Sequence, residues 1–190
     1  MKIILGAGAT RYDGWVATQE TELNVLSTAN WASMFTPTSI DAMLAEHVWE
    51  HMTLEEGIAA AQHCYQYLKP GGYIRCAVPD KNFRNEWYQS MVQVGGPGPK
   101  DHPAATHKIV YDHQTLAGVF VKAGFEVSLL EYCDESGDFH YTYWNESDGK
   151  IGRSYRFDTR NTIDKLGMVS LILDAKKPLM IRNEPNSHAM

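Results

Sequence analysis

Between Ser39 and Asp80 the polarity pattern passes from a near-continuous apolar run to helical spacing and back to an apolar run. Ile40, Met43, Leu44, Ala45 and Val48 form the first run, as expected of a strand covered on both faces. Thr53 followed by Glu56 is a capping-box pair, in which the hydroxyl takes an orphan N–H and the carboxylate reaches back. Leu54, Ile58, Ala61, Cys64 and Leu68 then recur at helical spacing and predict one apolar stripe. Pro70-Gly71-Gly72 stops that helix, since Pro cannot continue it and Gly accepts a left-handed turn. Tyr73, Ile74, Cys76, Ala77 and Val78 make a second strand closed by Pro79. Strand, crossover helix and strand predict a parallel pair at the centre of an α/β sheet. Ligands of open sheets gather at the carboxyl ends of the strands, here Glu46-His47 and Pro79-Asp80.

The flanking pattern extends this core. Lys2 to Leu5 is a short apolar strand followed at once by Gly6-Ala7-Gly8, and Trp15 to Thr18 is a second strand. The gap between them leaves no room for a full crossover helix, so the first helix is clipped to a turn at Arg11-Tyr12-Asp13-Gly14. A short helical turn opens at Asn30-Trp31, runs through Phe35 and ends at Pro37. Asn82 to Met91 reads as a helix with Phe83, Trp87 and Met91 at turn spacing. Gly95 to Thr106 holds too much Gly and Pro for regular structure and predicts a long loop, functional or disordered. Gln114 to Ala123 is a further helix, and Glu126 to Tyr132 alternates as a strand. Within the polar, aromatic stretch 134–166, Phe139 to Trp144 and Ile151 to Phe157 flank Asp148-Gly149, which predicts a β-hairpin. Its aromatic and basic side chains suit a substrate lid or a self-association surface, and equally a solvated hairpin. Met168 to Ala175 is a closing strand, and beyond Pro178 periodicity is lost.

Composition narrows the function. A chain of 190 residues, 44% hydrophobic, is most simply one globular domain with a substantial core. Its 17 basic and 23 acidic residues give a net charge of −6 without a basic block, which argues against nucleic acid or an anionic membrane as partner. No apolar run reaches membrane-spanning length, and glycines interrupt the N-terminus too early for a signal-peptide core. Cys64, Cys76 and Cys133 read as reduced thiols of a cytoplasmic protein.

Some residues carry candidate chemistry. Glycines at a strand end let a ligand approach the backbone and free N–H groups to bind polar atoms. A carboxylate at the end of the second strand would suit a ribose diol, and Gln19, with Glu20 beside it, stands there instead. Asn30 and Trp31 suit a purine, one reading an amino edge and the other stacking; a capping Asn and a core Trp fit the pattern equally. His47-Val48-Trp49-Glu50-His51 matches the inverted zinc-peptidase signature, which keeps a zinc hydrolase through His47, Glu50 and His51 as a remote alternative. The motif begins where an apolar strand ends, so its histidines need not share a helical face, and no metal is expected.

With these pieces placed, the chain resembles the class I S-adenosylmethionine-dependent methyltransferases, most closely a small bacterial group of predicted methyltransferases. The resemblance rests on LGAG (5–8), GWVAT (14–18), AEHVWEHM (45–52), LKPGGYIRCAVPD (68–80), AGFEV (123–127) and SLILDAKKP (170–178), in that order. It implies a Rossmann-like α/β fold over residues 1–178. Its seven-stranded, mostly parallel sheet would have the last strand antiparallel, a truncated first crossover helix and an extra β-hairpin (134–166) before that strand. A flexible tail (179–190) would follow. It further implies that Gly6, Ala7 and Gly8 line the methionine end of S-adenosylmethionine, Gln19 faces the ribose, Asn30 and Trp31 the adenine, and Glu46 and His47 the sulfonium region. Methyl transfer in line to a small-molecule acceptor is the expected reaction; binding without transfer, or other sulfonium chemistry, is the alternative. A base would assist a hydroxyl or amine acceptor, and His47, His51, His102 and His107 form the pool. His107 is favoured because it follows the flexible loop, with Asp80, Tyr12 and Tyr111 as orienting groups. The expected molecule is cytoplasmic, with a homo-oligomer left open.

Overall fold

The computed structural model describes residues 1–179 and contains a seven-stranded mixed sheet. In chain order the elements are β1 (Lys2–Leu5), β2 (Trp15–Ala17), α1 (Thr28–Met34), β3 (Ile40–Glu46), α2 (Leu54–Tyr67), β4 (Leu68–Pro79), α3 (Glu86–Val92), α4 (His113–Lys122), β5 (Glu126–Cys133), β6 (Phe139–Tyr141) and β7 (Ser170–Lys176). The strand order is β2-β1-β3-β4-β7-β5-β6. β1 pairs in parallel with β2 and β3, β3 pairs in parallel with β4, and β7 runs antiparallel to both β4 and β5. As expected, only turns join β1 to β2, and no helix among the described residues separates them. The expected tail falls, from residue 180 onward, outside the described residues.

The side-chain alternation of the central strands splits the core into two faces. Ile3, Leu5, Met43, Ala45, Ile74, Cys76, Val78, Leu171 and Leu173 point to one face, where the buried sides of α1, α2 and α4 cover them. α2 starts at the predicted capping box, with Thr53 and Glu56 capping each other. Its deepest stripe is Gly57, Ala60, Ala61, Cys64 and Tyr67, rotated from the predicted one. Small residues let it sit close: a Cβ at Gly57 would lie 3.0 Å from the Tyr111 hydroxyl and 3.3 Å from the Trp49 ring. α3 starts at Glu86 rather than Asn82 because Asn85 supplies the cap to Tyr88 N. All three cysteines are buried and free.

Ile4, Leu44, Ala77, Ile172 and Leu130 point to the opposite face, which irregular chain covers through Trp144, Ile151 and Phe157. A hairpin does precede the last strand, but its partner strand differs from the predicted one. Phe139–Tyr141 pairs antiparallel with Glu131–Cys133, not with 151–157. The nearer turn wins: Asp134 Oδ1 accepts from Ser136 N and Asp138 N, and Gly137 supplies a φ of +81°. The stretch around 142–158 is instead stitched onto the sheet by side chains rising from it. Glu46 accepts from Gly152 N (3.0 Å) and Arg153 N (2.8 Å). The buried Glu131 accepts from Trp144 Nε1 and Tyr155 N, both at 2.8 Å. Arg75, opposite Asp174 in the β4–β7 register, donates to both its carboxylate oxygens at 2.8 Å and also to the carbonyls of Asn145 and Gly149.

Arg75 is 2% exposed, so removing it orphans the two carbonyls and strips Asp174 of its partner. Breaking such a pair costs about 3 kcal/mol. Arg75→Met is expected to lower the unfolding free energy in urea by about that amount and to make 142–158 sensitive to protease; a loss below about 1 kcal/mol with unchanged cleavage would contradict this role.

Candidate active site

The chain runs from β1 outward to β2 and then returns past β1 to β3, so the order reverses between β1 and β3. A crevice opens at such a reversal, at the carboxyl ends of the two strands. Leu5 pairs with Ala45, which sets the Gly6–Gly8 turn beside Glu46, His47 and Val48. Gly6 and Gly8 both take left-handed backbone, with φ of +55° and +52°. A Cβ on Gly6 would meet Val48 Cγ2 at 2.9 Å, whereas one on Gly8 would meet no atom within 4 Å. Gly6 is thus required by the packing of the turn, and Gly8 faces open space.

Two cavities meet at this turn and share Gly6, Gly8, His47 and His51 in their walls. The smaller, about 380 Å³, continues along Gln19, Glu20, Asn24, Val25 and Leu26. The larger, about 650 Å³, extends past Tyr12, Trp87, Met91, His107, Arg153 and Met168. Both volumes fall in the range of small-molecule sites. Gln19 Nε2 donates to Gly8 O at 2.9 Å, which ties the end of β2 to the glycine turn.

His47 and His51 border both cavities, and Glu50 and His107 join them on the side of the larger one. His47 has a φ of +57°, a strained value for a side-chain-bearing residue and one that its neighbours must hold in place. Its Nδ1 lies 3.1 Å from Glu50 Oε1 and its Nε2 lies 3.0 Å from Ser170 Oγ. Glu50 and His51 follow on a short 3-10 turn, Trp49–His51, so His47 and His51 do not share an α-helical face and the zinc-peptidase arrangement is not formed. Glu50 is wholly buried, and neither of its carboxylate oxygens has an aligned hydrogen-bond donor among the described residues. Burial acts to raise its pKa, but His47 and His51 outweigh it and hold the carboxyl below its usual range. Burial pulls His107 below the usual histidine value, with the Val92 carbonyl and Glu50 opposing. Its Nδ1 donates to Val92 O at 2.8 Å, while Nε2 stands 4.0 Å from Glu50 Oε1.

Other expected site residues lie elsewhere. Trp31 is fully buried in the core, stacked on Tyr67 with its Nε1–H on Val25 O, and so has no face to offer a purine. Asn30 is half-buried and accepts from Asn24 N, and it borders neither cavity. Asp80 is buried under Asn82 N and Cys133 N, and burial raises its pKa despite these bonds; it is a knot at the strand tip rather than an orienting group. Tyr111 is fully buried against α2, away from both cavities. Glu46 borders the larger cavity, but both its oxygens are committed to the 152–153 amides. Sequence reasoning passed over Asn24, Val25, Leu26 and Lys108 as lining; the first three had only their proximity to the end of β2 as a signal, and Lys108 had none.

Residues 10–130 match the family model described as a methyltransferase domain. A crystal structure of an S-adenosylmethionine-dependent methyltransferase from Archaeoglobus fulgidus is similar over 93% of this chain and 85% of its own, at 15% identity and a TM-score of 0.53. One from Thermotoga maritima is similar over 93% and 73%, at 14% identity and a TM-score of 0.50. The CurJ carbon methyltransferase is similar over 93% and 48%, at 12% identity and a TM-score of 0.52. No curated protein sequence matches significantly. The structures share the fold, and the family match covers well over half of the chain. On that match, with a strand reversal that opens onto a glycine turn, the chain belongs to the class I S-adenosylmethionine-dependent methyltransferases.

Proposed function

We propose that the protein methylates a small-molecule acceptor seated in the larger cavity, with S-adenosylmethionine held in the smaller one and across the glycine turn. The observation that carries this reading is the shared wall: Gly6, Gly8, His47 and His51 border both cavities, so two ligands would meet there. The residues present fit the cofactor. Gly8 leaves open the space that a side chain would fill, and the smaller cavity combines polar groups at Gln19 and Glu20 with apolar ones at Leu23, Val25 and Leu26. Gly6, Ala7 and Gly8 would hold the amino-acid end and Gln19 and Glu20 the ribose, while Asn24, Val25, Leu26 and Val48 replace Asn30 and Trp31 around the adenine. When bound, the cofactor supplies an electrophilic methyl group, and the protein's part is position and electrostatics.

Position is the larger share, since aligned reactants can gain about 7–11 kcal/mol over free encounter. Trp87, Met91 and Met168 offer the acceptor an apolar bed, and Arg153 offers an anionic substituent a charge. The wall of His47, Glu50, His51 and His107 faces the acceptor's reacting atom. Glu50 and Ser170 flank the His47 ring, and the Val92 carbonyl orients His107 so that Nε2 carries the lone pair of the neutral ring. Asp80 and Tyr111 take no part.

Gly8→Val tests the cofactor half. The branched side chain projects into the cavity and strains the turn by about 1–2 kcal/mol. Calorimetry is expected to show S-adenosylhomocysteine binding at least about tenfold weaker, and undiminished affinity would contradict the placement. His107→Ala tests the acceptor half. Incubation with S-adenosylmethionine and a metabolite mixture, followed by mass analysis, is expected to reveal a product heavier by one methyl group. His107→Ala should form that product about a hundredfold more slowly with S-adenosylhomocysteine affinity unchanged; an undiminished rate would remove His107 from the reaction.

A further inference from the structure

Three donor groups from two separate segments converge on the wall of the larger cavity. One ligating atom each of Glu50, His51 and His107 lies within 4.8 Å of the others, and the His51 and His107 rings meet edge-on at 4.9 Å. The Glu50 carboxylate is wholly buried, aims into this cluster and has no aligned donor on either oxygen among the described residues. Its nearest imidazole neighbour is His47, with Nδ1 3.1 Å from Oε1, so the carboxylate keeps lone pairs for a cation. Both rings are fixed from behind. The Val92 carbonyl can only accept, so His107 Nδ1 carries a proton and Nε2 turns its lone pair toward Glu50, 4.0 Å away. Thr106 Oγ1 holds His51 Nδ1 at 2.8 Å, leaving its Nε2 without a hydrogen-bond partner among the described residues. An imidazole anchored through one nitrogen to a carbonyl or hydroxyl and presenting the other is how proteins orient metal ligands.

We propose that Glu50, His51 and His107 bind a divalent first-row transition-metal ion, zinc or a close relative. Two imidazoles and a carboxylate are a donor set for such ions and not for Mg²⁺ or Ca²⁺, which prefer all-oxygen surroundings. Ligands on a tetrahedral zinc stand about 3.4 Å apart, so small side-chain movements close the present spacing onto an ion. Three protein ligands leave at least one coordination position, and all three residues border the larger cavity, so that position opens toward the acceptor. With His107 Nε2 on the ion, its lone pair would no longer serve as a base, and the ion instead would receive an acceptor bearing a hydroxyl or carboxylate oxygen; this role in the reaction rests on the methyl-transfer reading, and ion binding itself does not. His47, 3.1 Å from Glu50 Oε1, steadies the carboxylate. The sequence motif contributes Glu50 and His51, but the third ligand is His107 and not the motif's His47.

The test uses the full chain, stripped with a strong chelator, desalted and titrated with Zn²⁺ alone. Elemental analysis after gel filtration is expected to give one zinc per chain, with a raised melting temperature. His51→Ala and His107→Ala should each weaken zinc binding at least about 100-fold, whereas His63→Ala and His140→Ala should retain it, with circular dichroism reporting that each variant is folded. Should His107→Ala not fold, His51→Ala, whose ring is only half-buried, decides the matter. Substoichiometric zinc on the wild-type chain, or equal zinc on the His51→Ala and wild-type chains, would overturn the site. Calorimetry of the stripped chain with S-adenosylhomocysteine separates the two readings: cofactor binding without zinc binding overturns the ion alone, and zinc binding without cofactor binding overturns methyl transfer.

Discussion

Parallel pairing of β1 with β3 is the constraint on which the molecule depends. With Leu5 opposite Ala45, the turn after β1 and the turn after β3 must emerge side by side from one sheet edge. One carries glycines at left-handed φ and the other carries His47 at left-handed φ. The glycines adopt it freely, whereas His47 is strained and held by its neighbours, its N–H donating to Ala77 O on β4; Gly6 packs under Val48. This pairing opens the crevice at the strand reversal in which the proposed donor and acceptor would meet.

Among the described residues, the second face of the sheet is covered without an α-helix. Trp144, Ile151 and Phe157 supply the apolar cover, and charged side chains of the sheet hold it down. Arg75 takes two carbonyls, Glu131 takes the Trp144 indole and Tyr155 N, and Glu46 takes two amides of the 152–153 turn. These bonds place Gly152 and Arg153 at the rim of the larger cavity, so the residues that fasten the cover also shape the site. The mixed polar and aromatic character of 134–166 reflects this double duty.

The central strands and helices were legible because period and punctuation agreed, as at Thr53 and Glu56, where the capping box formed as read. The hairpin partner was not legible. Two turn signals competed, Asp148-Gly149 and Asp134 to Asp138; the nearer turn closed on Asp134, while Glu131 and Glu46 fastened the other stretch to the sheet. The site divided in the same way. Gly6, Ala7, Gly8, Gln19, Glu46 and His47 lie at or just past strand ends, and all border a cavity. Trp31 was ambiguous between stacking and packing, and the apolar side of α1 drew it into the core. Asp80 and Tyr111 sit at a strand tip, but bonds from Asn82 and Cys133, and the packing of α2, turned them away from the cavities. The approach of His107 to Glu50 joins segments more than fifty residues apart, which no local pattern encodes.

In the proposed reading the imidazoles around Glu50 would give the acceptor side its chemistry, and the glycine turn would give the donor side its shape. That both belong to one site is the central claim, and amide hydrogen exchange tests it most directly. Saturating S-adenosylhomocysteine is predicted to slow exchange together at 6–9, 19–26 and 46–48, with β6 unchanged. Protection confined to other segments, or none at all, would contradict the account.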